Sequence, residues 1–356
     1  MARSVKSAAR KLIRDPLAFC LDSKFALLNK YGDETLKQQR EDLKALGRAR
    51  SDTLVTVIMT AFNTGKYVEN ALRSILEQSH KRLEVMVIDD ASTDDTLDII
   101  RNIARTDDRV KVFNSPVNHG TYWSKNWCLA KAKGDFVAFH DSDDVSHPDR
   151  IRIQLGAFQK WPDMKACTVR WERIIEGSNE DVLMQGKPSR TALISLMINR
   201  QRVLDQAGFF DCVRIAADSE YLARLGYVFG RKGVRNLRHV LYTGLLREGS
   251  LTTGNAGGTL WNLNVDAGGS DSTQGAQQSL NFERTLQGDR ALYHTAFHDW
   301  HARVMNTSAK AKPDSIPDHT SEMKMPFPQP ARKFAVPVSI TGDCMDMELD
   351  AVKQLT

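Results

Sequence analysis

The sequence holds no apolar run long enough to cross a bilayer. Its longest, such as LVTVIM from Leu54 to Met59, are of strand length, against the ~20 residues a membrane helix needs. A chain that spans a membrane by helices is therefore not expected. Cysteine is sparse: Cys20, Cys128, Cys167, Cys212 and Cys344 are odd in number and show no metal-ligand or redox spacing. That argues against a disulfide framework and predicts reduced thiols in a cytoplasmic setting. Charge of one sign is not in excess either. The formal charge of +5 over 356 residues is dispersed except at the N-terminus, so no nucleic-acid groove is expected. Neither G-x-G-x-x-G nor G-x-x-x-x-G-K-[ST] occurs, which removes the dinucleotide fingerprint and the P-loop.

What the sequence does hold begins with a basic segment. MARSVKSAARKLIRDP carries Arg3, Lys6, Arg10, Lys11 and Arg14, and at helical spacing Val5, Ala8, Ala9 and Leu12 share one face. Three roles stay open for such a helix: lying on the anionic inner face of the plasma membrane, docking on its own domain, or serving as a transit peptide. From Asp52 onward short apolar runs alternate with amphipathic segments. LVTVIMTAFN, LEVMVIDDAS, VKVFNS and DFVAFH read as strands, with YVENALRSILEQ, TDDTLDIIRNIART and GTYWSKNWCLAKAKG as helices between them. Strand and helix in alternation predict an α/β fold with a mostly parallel central sheet and helices on both faces. The expected organisation is a basic helical extension over 1–51, an α/β domain over 52–253, a flexible polar loop over 254–280, and a helix with a proline-rich tail over 281–356.

In such a sheet ligands gather at the carboxyl ends of the strands, and the polar residues fall there. Thr60, Ala61, Phe62 and Asn63 follow the first strand, and Asp89 and Asp90 end the second. Ser92 and Asp95 have the spacing of a capping box for the next helix. GDFVAFHDSDDVSHPDR then runs a buried strand into Asp141, Asp143 and Asp144. Carboxylates this close repel one another and need a compensating cation. Hard oxygens in D-x-D spacing suit Mg²⁺ or Mn²⁺, though a solvated acidic turn gives the same spacing.

Three stretches together carry a resemblance: VTVIMTAFNTGKYVENALRSILEQSHKRLEVMVIDDASTDDT, NHGTYWSKNWCLAKAKGDFVAFHDSDD and GFFDCVRIAADSEYLARL. From about Thr53 to Thr253 the chain resembles family-two inverting glycosyltransferases of the GT-A fold, a nucleotide-diphospho-sugar transferase fold. The resemblance implies that Thr60, Ala61, Phe62, Asn63 and Asp90, with Asp89 beside it, hold the nucleotide. It implies that Asp143 and Asp144, supported by Asp141, hold Mn²⁺ or Mg²⁺ on the donor diphosphate. It further implies that Asp218 is the general base, with Glu220 as its rival because ADSE stands where many relatives carry adjacent Glu-Asp. Arg247, in LYTGLLREGSLTTGN, is similarly placed to reach the diphosphate. The implied donor is a nucleotide-sugar, a UDP-sugar by preference. The implied acceptor is a growing surface polysaccharide or lipid-linked glycan of the capsule type, met in the cytoplasm or at the inner membrane face.

LNFERTLQGDRALYHTAFHDWHARVM reads as one helix, with His294, His298 and His301 recurring on one side. Zinc would want further ligands, so solvated or acceptor-facing histidines are expected. Two other functional classes fit parts of the pattern. FVAFHDSDDV satisfies the motif of a haloacid-dehalogenase-like phosphatase, with Asp141 as nucleophile and Asp143 as acid/base, although that motif normally lies on a first strand. A non-catalytic sugar-nucleotide or glycan-binding module would keep Asp143 and Asp144 without using Asp218.

Overall fold

The computed structural model describes residues 52–177, 181–184, 187–247, 259–265, 279–308 and 353–355. The basic segment 1–51 and the prolines of the tail lie outside them. The strands are β1 Val55–Ala61, β2 Leu83–Asp89, β3 Val110–Asn114, β4 Phe136–Asp141, β5 Val145–Ser146, β6 Ala166–Ile175, β7 Asp181–Met184, β8 Arg190–Asn199, β9 Val234–Leu246, β10 Thr259–Val265, β11 Ser279–Leu286 and β12 Lys353–Leu355. The helices are α1 Gly65–Leu76, α2 Thr96–Ala104, α3 Thr121–Lys131, α4 Arg150–Lys160, α5 Arg200–Ala207, α6 Ala217–Gly233 and α7 Gly288–Ser308.

Nine strands form one sheet in the order β12-β3-β2-β1-β4-β8-β6-β9-β5. The strands from β3 to β4 pair in parallel, which is why β1 is buried at every position and is apolar apart from Thr56 and Thr60. Beyond β4 the sheet is mixed, because β8 enters antiparallel to both β4 and β6. The parallel character expected from the sequence thus belongs to the half that carries the first four strands. A second sheet joins β10, β11 and β7.

Local chemistry sets the helix starts. Ser92 does not cap α2: its amide donates to Asp89 Oδ2 and its hydroxyl accepts from the Asn63 amide. The helix begins later, where Asp94 takes the Thr96 amide and hydroxyl and reaches across to the Gly65 amide at 3.0 Å. That carboxylate sits at the N-terminus of α1, where the helix dipole favours it. The fit leaves no space for a side chain at Gly65, since a Cβ there would lie 1.8 Å from Asp95 Oδ1.

The C-terminal stretch departs from the sequence reading. The polar segment 254–280 contributes β10, and LNFERTL, expected as helix, is most of β11. Leu280 and Phe282 alternate with Asn281 and Glu283 in the strand period of two, and Gly288, at φ +52°, separates this strand from α7. Residues 254–258 and 266–278 lie outside the described ones.

Helix α7 docks on α6 through a buried charge network. Arg224 donates to Glu220 Oε2 at 2.5 Å, to Asp211 Oδ1 at 3.1 Å and to the carbonyls of Ala207 and Phe209. From α7, Tyr293 donates its hydroxyl to Asp211 Oδ2 at 2.8 Å and His301 Nε2 lies 3.1 Å from Glu220 Oε1.

Two outcomes are expected. Gly65→Ala must displace Asp95 or tilt α1, and overpacking of this kind costs about 1–3 kcal/mol; a thermal melt should show a lower Tm. The second concerns Asp211, whose carboxyl is pushed up to about 7 by burial and by the charge of Glu220, against the pull of Arg224. Between the ordinary value of 3.8 and about 7 the native state keeps a proton that the unfolded chain has released, so this group's contribution to stability falls as pH rises through that window. Melts from about pH 5 to about pH 7 should show a shallower fall in Tm for Asp211→Asn than for the wild type. Parallel curves would contradict the assignment.

Candidate active site

The register places the functional strand ends side by side, with Ala61 opposite Asp89 and Thr60 opposite Asp141. Chain order runs outward from β1 to β3 and resumes at β4 on the other side of β1, which is the reversal where a crevice opens in such sheets.

The loops after β1 and β2 are tied to each other. Asp90 donates its amide to the Ala61 carbonyl at 2.8 Å, and Asn63 Oδ1 accepts from the Thr93 amide at 2.8 Å. Thr60 shares a 2.7 Å hydrogen bond with Thr121 at the start of α3. Phe62 stays 45% exposed beside them, a flat apolar face at the mouth of the strand ends. Asn63 and Ala91 both take positive φ, 50° and 65°; asparagine tolerates this, but for alanine it is strain of about 1–2 kcal/mol.

The paired aspartates divide their work differently from the sequence expectation. Asp90, expected on the nucleotide, has both oxygens engaged: Oδ1 accepts from the His119 amide and Ser124 hydroxyl, and Oδ2 from the Gly120 amide. It anchors the N-terminus of α3. Asp89 uses Oδ2 on Ser92, while its Oδ1 is buried with no hydrogen-bond partner among the described residues. Burial pushes the Asp89 carboxyl upward.

The carboxylates after β4 each meet a cation of the protein. Lys125, itself 4% exposed, donates to Asp141 at 3.2 Å. Arg247 Nε donates to Asp143 at 2.8 Å and its guanidinium lies 4.9 Å from the Tyr67 ring centre. Arg173 feels all three carboxylates and donates to the Leu245 carbonyl at 3.1 Å. Asp144, expected beside Asp143 on a metal ion, is turned inward and accepts the Leu245 amide at 2.9 Å. Its carboxyl is pushed well up by burial and then by the Asp143 charge. The outward pair is therefore Asp141 and Asp143, with 38% and 18% of their side chains exposed. Below them, Tyr242 accepts the Asp141 amide at 3.2 Å and stacks near the buried Arg150 guanidinium at 5.4 Å.

Asp218 faces this group. It stands in the first turn of α6, half-buried, and its charge helps raise the Asp141 carboxyl after desolvation and alongside Asp143, with Lys125 opposing. The Tyr122 hydroxyl lies against the Asp218 backbone and feels both Asp141 and Arg290 of α7. Glu220, its rival from the sequence, is fully buried in the network with Arg224 and His301, which also holds its carboxyl below the usual range. It has no face toward a substrate. Of the two carboxylates, only Asp218 is partly exposed.

Lys125, Arg173, Tyr122, Tyr242 and Arg290 were not singled out from the sequence. α3 is buried across Tyr122–Leu129, so Lys125 inside it needs the partner it finds in Asp141. The histidines separate, His301 facing inward and His294 and His298 meeting each other at 3.3 Å near the surface. Among the described residues no three or more His, Cys, Asp or Glu side chains gather as a metal-holding set.

The glycosyl transferase family 2 pattern matches residues 56–218. The chain is 41% identical over 103 residues to an uncharacterized glycosyltransferase of Haemophilus influenzae, covering 29% of this chain and 41% of that one. It is 42% identical over 91 residues to the GalNAc(5)-diNAcBac-PP-undecaprenol beta-1,3-glucosyltransferase of Campylobacter jejuni, covering 25% and 29%. The chain thus spans less than half the length of these relatives. The crystal structure of residues 1–349 of S. aureus TarS in complex with UDP superposes with a TM-score of 0.45 and 21% identity, over 54% of this chain and 60% of that one, a likeness too slight to add to the family match. The family match leaves no place for the phosphatase alternative built on Asp141. Residues 56–218, which contain the strand ends, the carboxylates after β4 and Asp218, are the part of the chain that matches the glycosyl transferase family 2 pattern.

Proposed function

We propose that the chain transfers a sugar from a nucleotide-diphosphate donor, a UDP-sugar by preference, to a hydroxyl of a growing surface glycan or glycolipid, with inversion at the anomeric carbon. The observation that carries this reading is the convergence of Asp89, Asp141, Asp143 and Arg247 at one crevice, with Asp218 facing them from α6. Phe62, 45% exposed at these strand ends, offers a surface on which a base can stack.

Asp141 and Asp143 fit a divalent ion. They are hard, partly exposed and mutually repelling, and Mg²⁺ or Mn²⁺ binds through one or two carboxylates together with substrate phosphates. When bound, such an ion supplies Lewis-acid neutralisation of the diphosphate leaving group. Arg247 holds a fork of donors that matches phosphate oxygens, and Lys125 orients Asp141 and opposes the upward push that burial gives its carboxyl. Asp218 takes the proton of the acceptor hydroxyl as that oxygen attacks, and single displacement from the face opposite the leaving group inverts the centre. The name of the Campylobacter relative suggests a polyprenyl-diphosphate-linked glycan as acceptor. The basic residues of the segment 1–51 suit contact with an anionic membrane surface where such an acceptor would lie.

Nucleoside diphosphate release from a panel of sugar nucleotides tests the reading, with Mn²⁺, with Mg²⁺ and with chelator, in the presence of mixed lipid-linked glycans. Release should depend on the ion and favour one donor. Asp218→Asn should lower it about 10²–10⁴-fold, as loss of a positioned base does. Asp143→Asn should abolish the response to the ion. Donor binding without release under every condition would favour the non-catalytic binding module.

A further inference from the structure

The first turn of α6 is closed locally by the Ser219 amide, which donates to the Asp218 carboxylate at 2.8 Å and to the Ala216 carbonyl at 3.1 Å. Its cap residue, Ala216, is in the left-handed region at φ 65°, ψ 12° and supplies no side-chain cap to the helix amides. Alanine is strained in that conformation, and support from outside the turn offsets that strain. Two residues on, Glu220 is fully buried and bound on one side by Arg224 and on the other by His301. The His301 ring is fixed edge-on against Tyr227 at 4.9 Å and beside Phe297 at 5.7 Å. Tyr293 holds the opposite end of the network through Asp211, and Arg290, on the same helix, lies near the Tyr122 hydroxyl that rests against the Asp218 backbone.

Apolar contact would be enough to dock α7, since Tyr293 and Phe297 are already in the core. Buried ion networks add little stability over a hydrophobic seam, and their best-attested use is to fix register. A slip of α7 by one turn would leave Glu220 and Asp211 short of their partners, so the network admits a single seating of α7 against α6.

We infer that His301 and Tyr293 of α7 are positioning residues for Asp218, acting through Glu220, Arg224 and Asp211 to fix the first turn of α6 at the distance the acceptor hydroxyl requires. They lie beyond the matched family span of 56–218, so the base is set by a helix outside it. The inference rests on Asp218 being the base, and the experiment separates the two.

Steady-state rates are measured on the full chain for wild type, Asp218→Asn, His301→Ala, His301→Gln and Tyr293→Phe, with folded fraction measured by melt and rates corrected for it. Displacement of a reacting group by about 1 Å can cost about 10²-fold, so His301→Ala should lower kcat about 10- to 100-fold with the donor KM within about twofold. His301→Gln, which keeps a donor for Glu220, should recover most of that loss. Tyr293→Phe removes one hydroxyl while keeping the packing, and should lower kcat about threefold or more in the same pattern. If His301→Ala does not fold, Tyr293→Phe alone decides the matter. Unchanged corrected kcat in the folded variants, or a loss that Gln does not recover, overturns the positioning role. Full activity in Asp218→Asn overturns the assignment of the base instead.

Discussion

Asp141, Asp143 and Asp144 leave the end of a buried strand within four residues, and their mutual repulsion organises the site around them. Two like charges about 4 Å apart, at an effective dielectric of about 20, repel by about 4 kcal/mol, a large share of a domain's net stability. The protein answers from three directions: Lys125 from α3, Arg173 from β6 and Arg247 from the end of β9. Each element is thereby drawn to the crevice. The answers also differ in kind. Asp144 is absorbed into the sheet by the Leu245 amide, whereas Asp141 and Asp143 are met by side chains that leave carboxylate surface exposed.

That difference sorts scaffold from chemistry at the other strand ends too. Asp90 spends both oxygens on the start of α3, so α3 is seated and Lys125 is aimed at Asp141. Asp89, its neighbour in sequence, keeps an oxygen unpartnered among the described residues. Glu220 is consumed by Arg224 while Asp218, two residues earlier, remains half-buried at the crevice. In each pair one carboxylate is used up in holding the backbone that presents the other.

The sequence made the first four strands legible because each is a compact apolar run ending in polar residues, and their order placed Thr60, Asp89 and Asp141 at one edge before any coordinates. Only the resemblance favoured Asp90 over Asp89 and Asp218 over Glu220. Adjacent carboxylates carry the same composition and spacing, and only burial and the direction of the side chain separate them. The cations were harder to see. Lys125 lies sixteen residues before its partner and Arg247 over a hundred after, and no periodic pattern marks contacts of that range. The strands β10 and β11 were hidden by polar composition, since their pairing with each other supplies what local propensity does not.

If Asp218 is the base, as proposed, helix α7 ties the reaction centre to residues beyond the matched span of 56–218. The motif supplies a carboxylate in the right order along the chain, but a general base works only within hydrogen-bond reach of its proton. Reach is a property of the turn that carries Asp218, and that turn starts at a strained Ala216 with the Asp218 carboxylate held by the Ser219 amide. Rigidity there must come from burial of Glu220, and a carboxylate is buried stably only when its partners are complete. Arg224, within the same helix, supplies part of that set, and His301, eighty-one residues away, supplies the rest. The energetics of one buried charge thus bind a distant helix to the geometry of the reaction centre, and a substitution in α7 should be read at Asp218 before it is read as loss of fold.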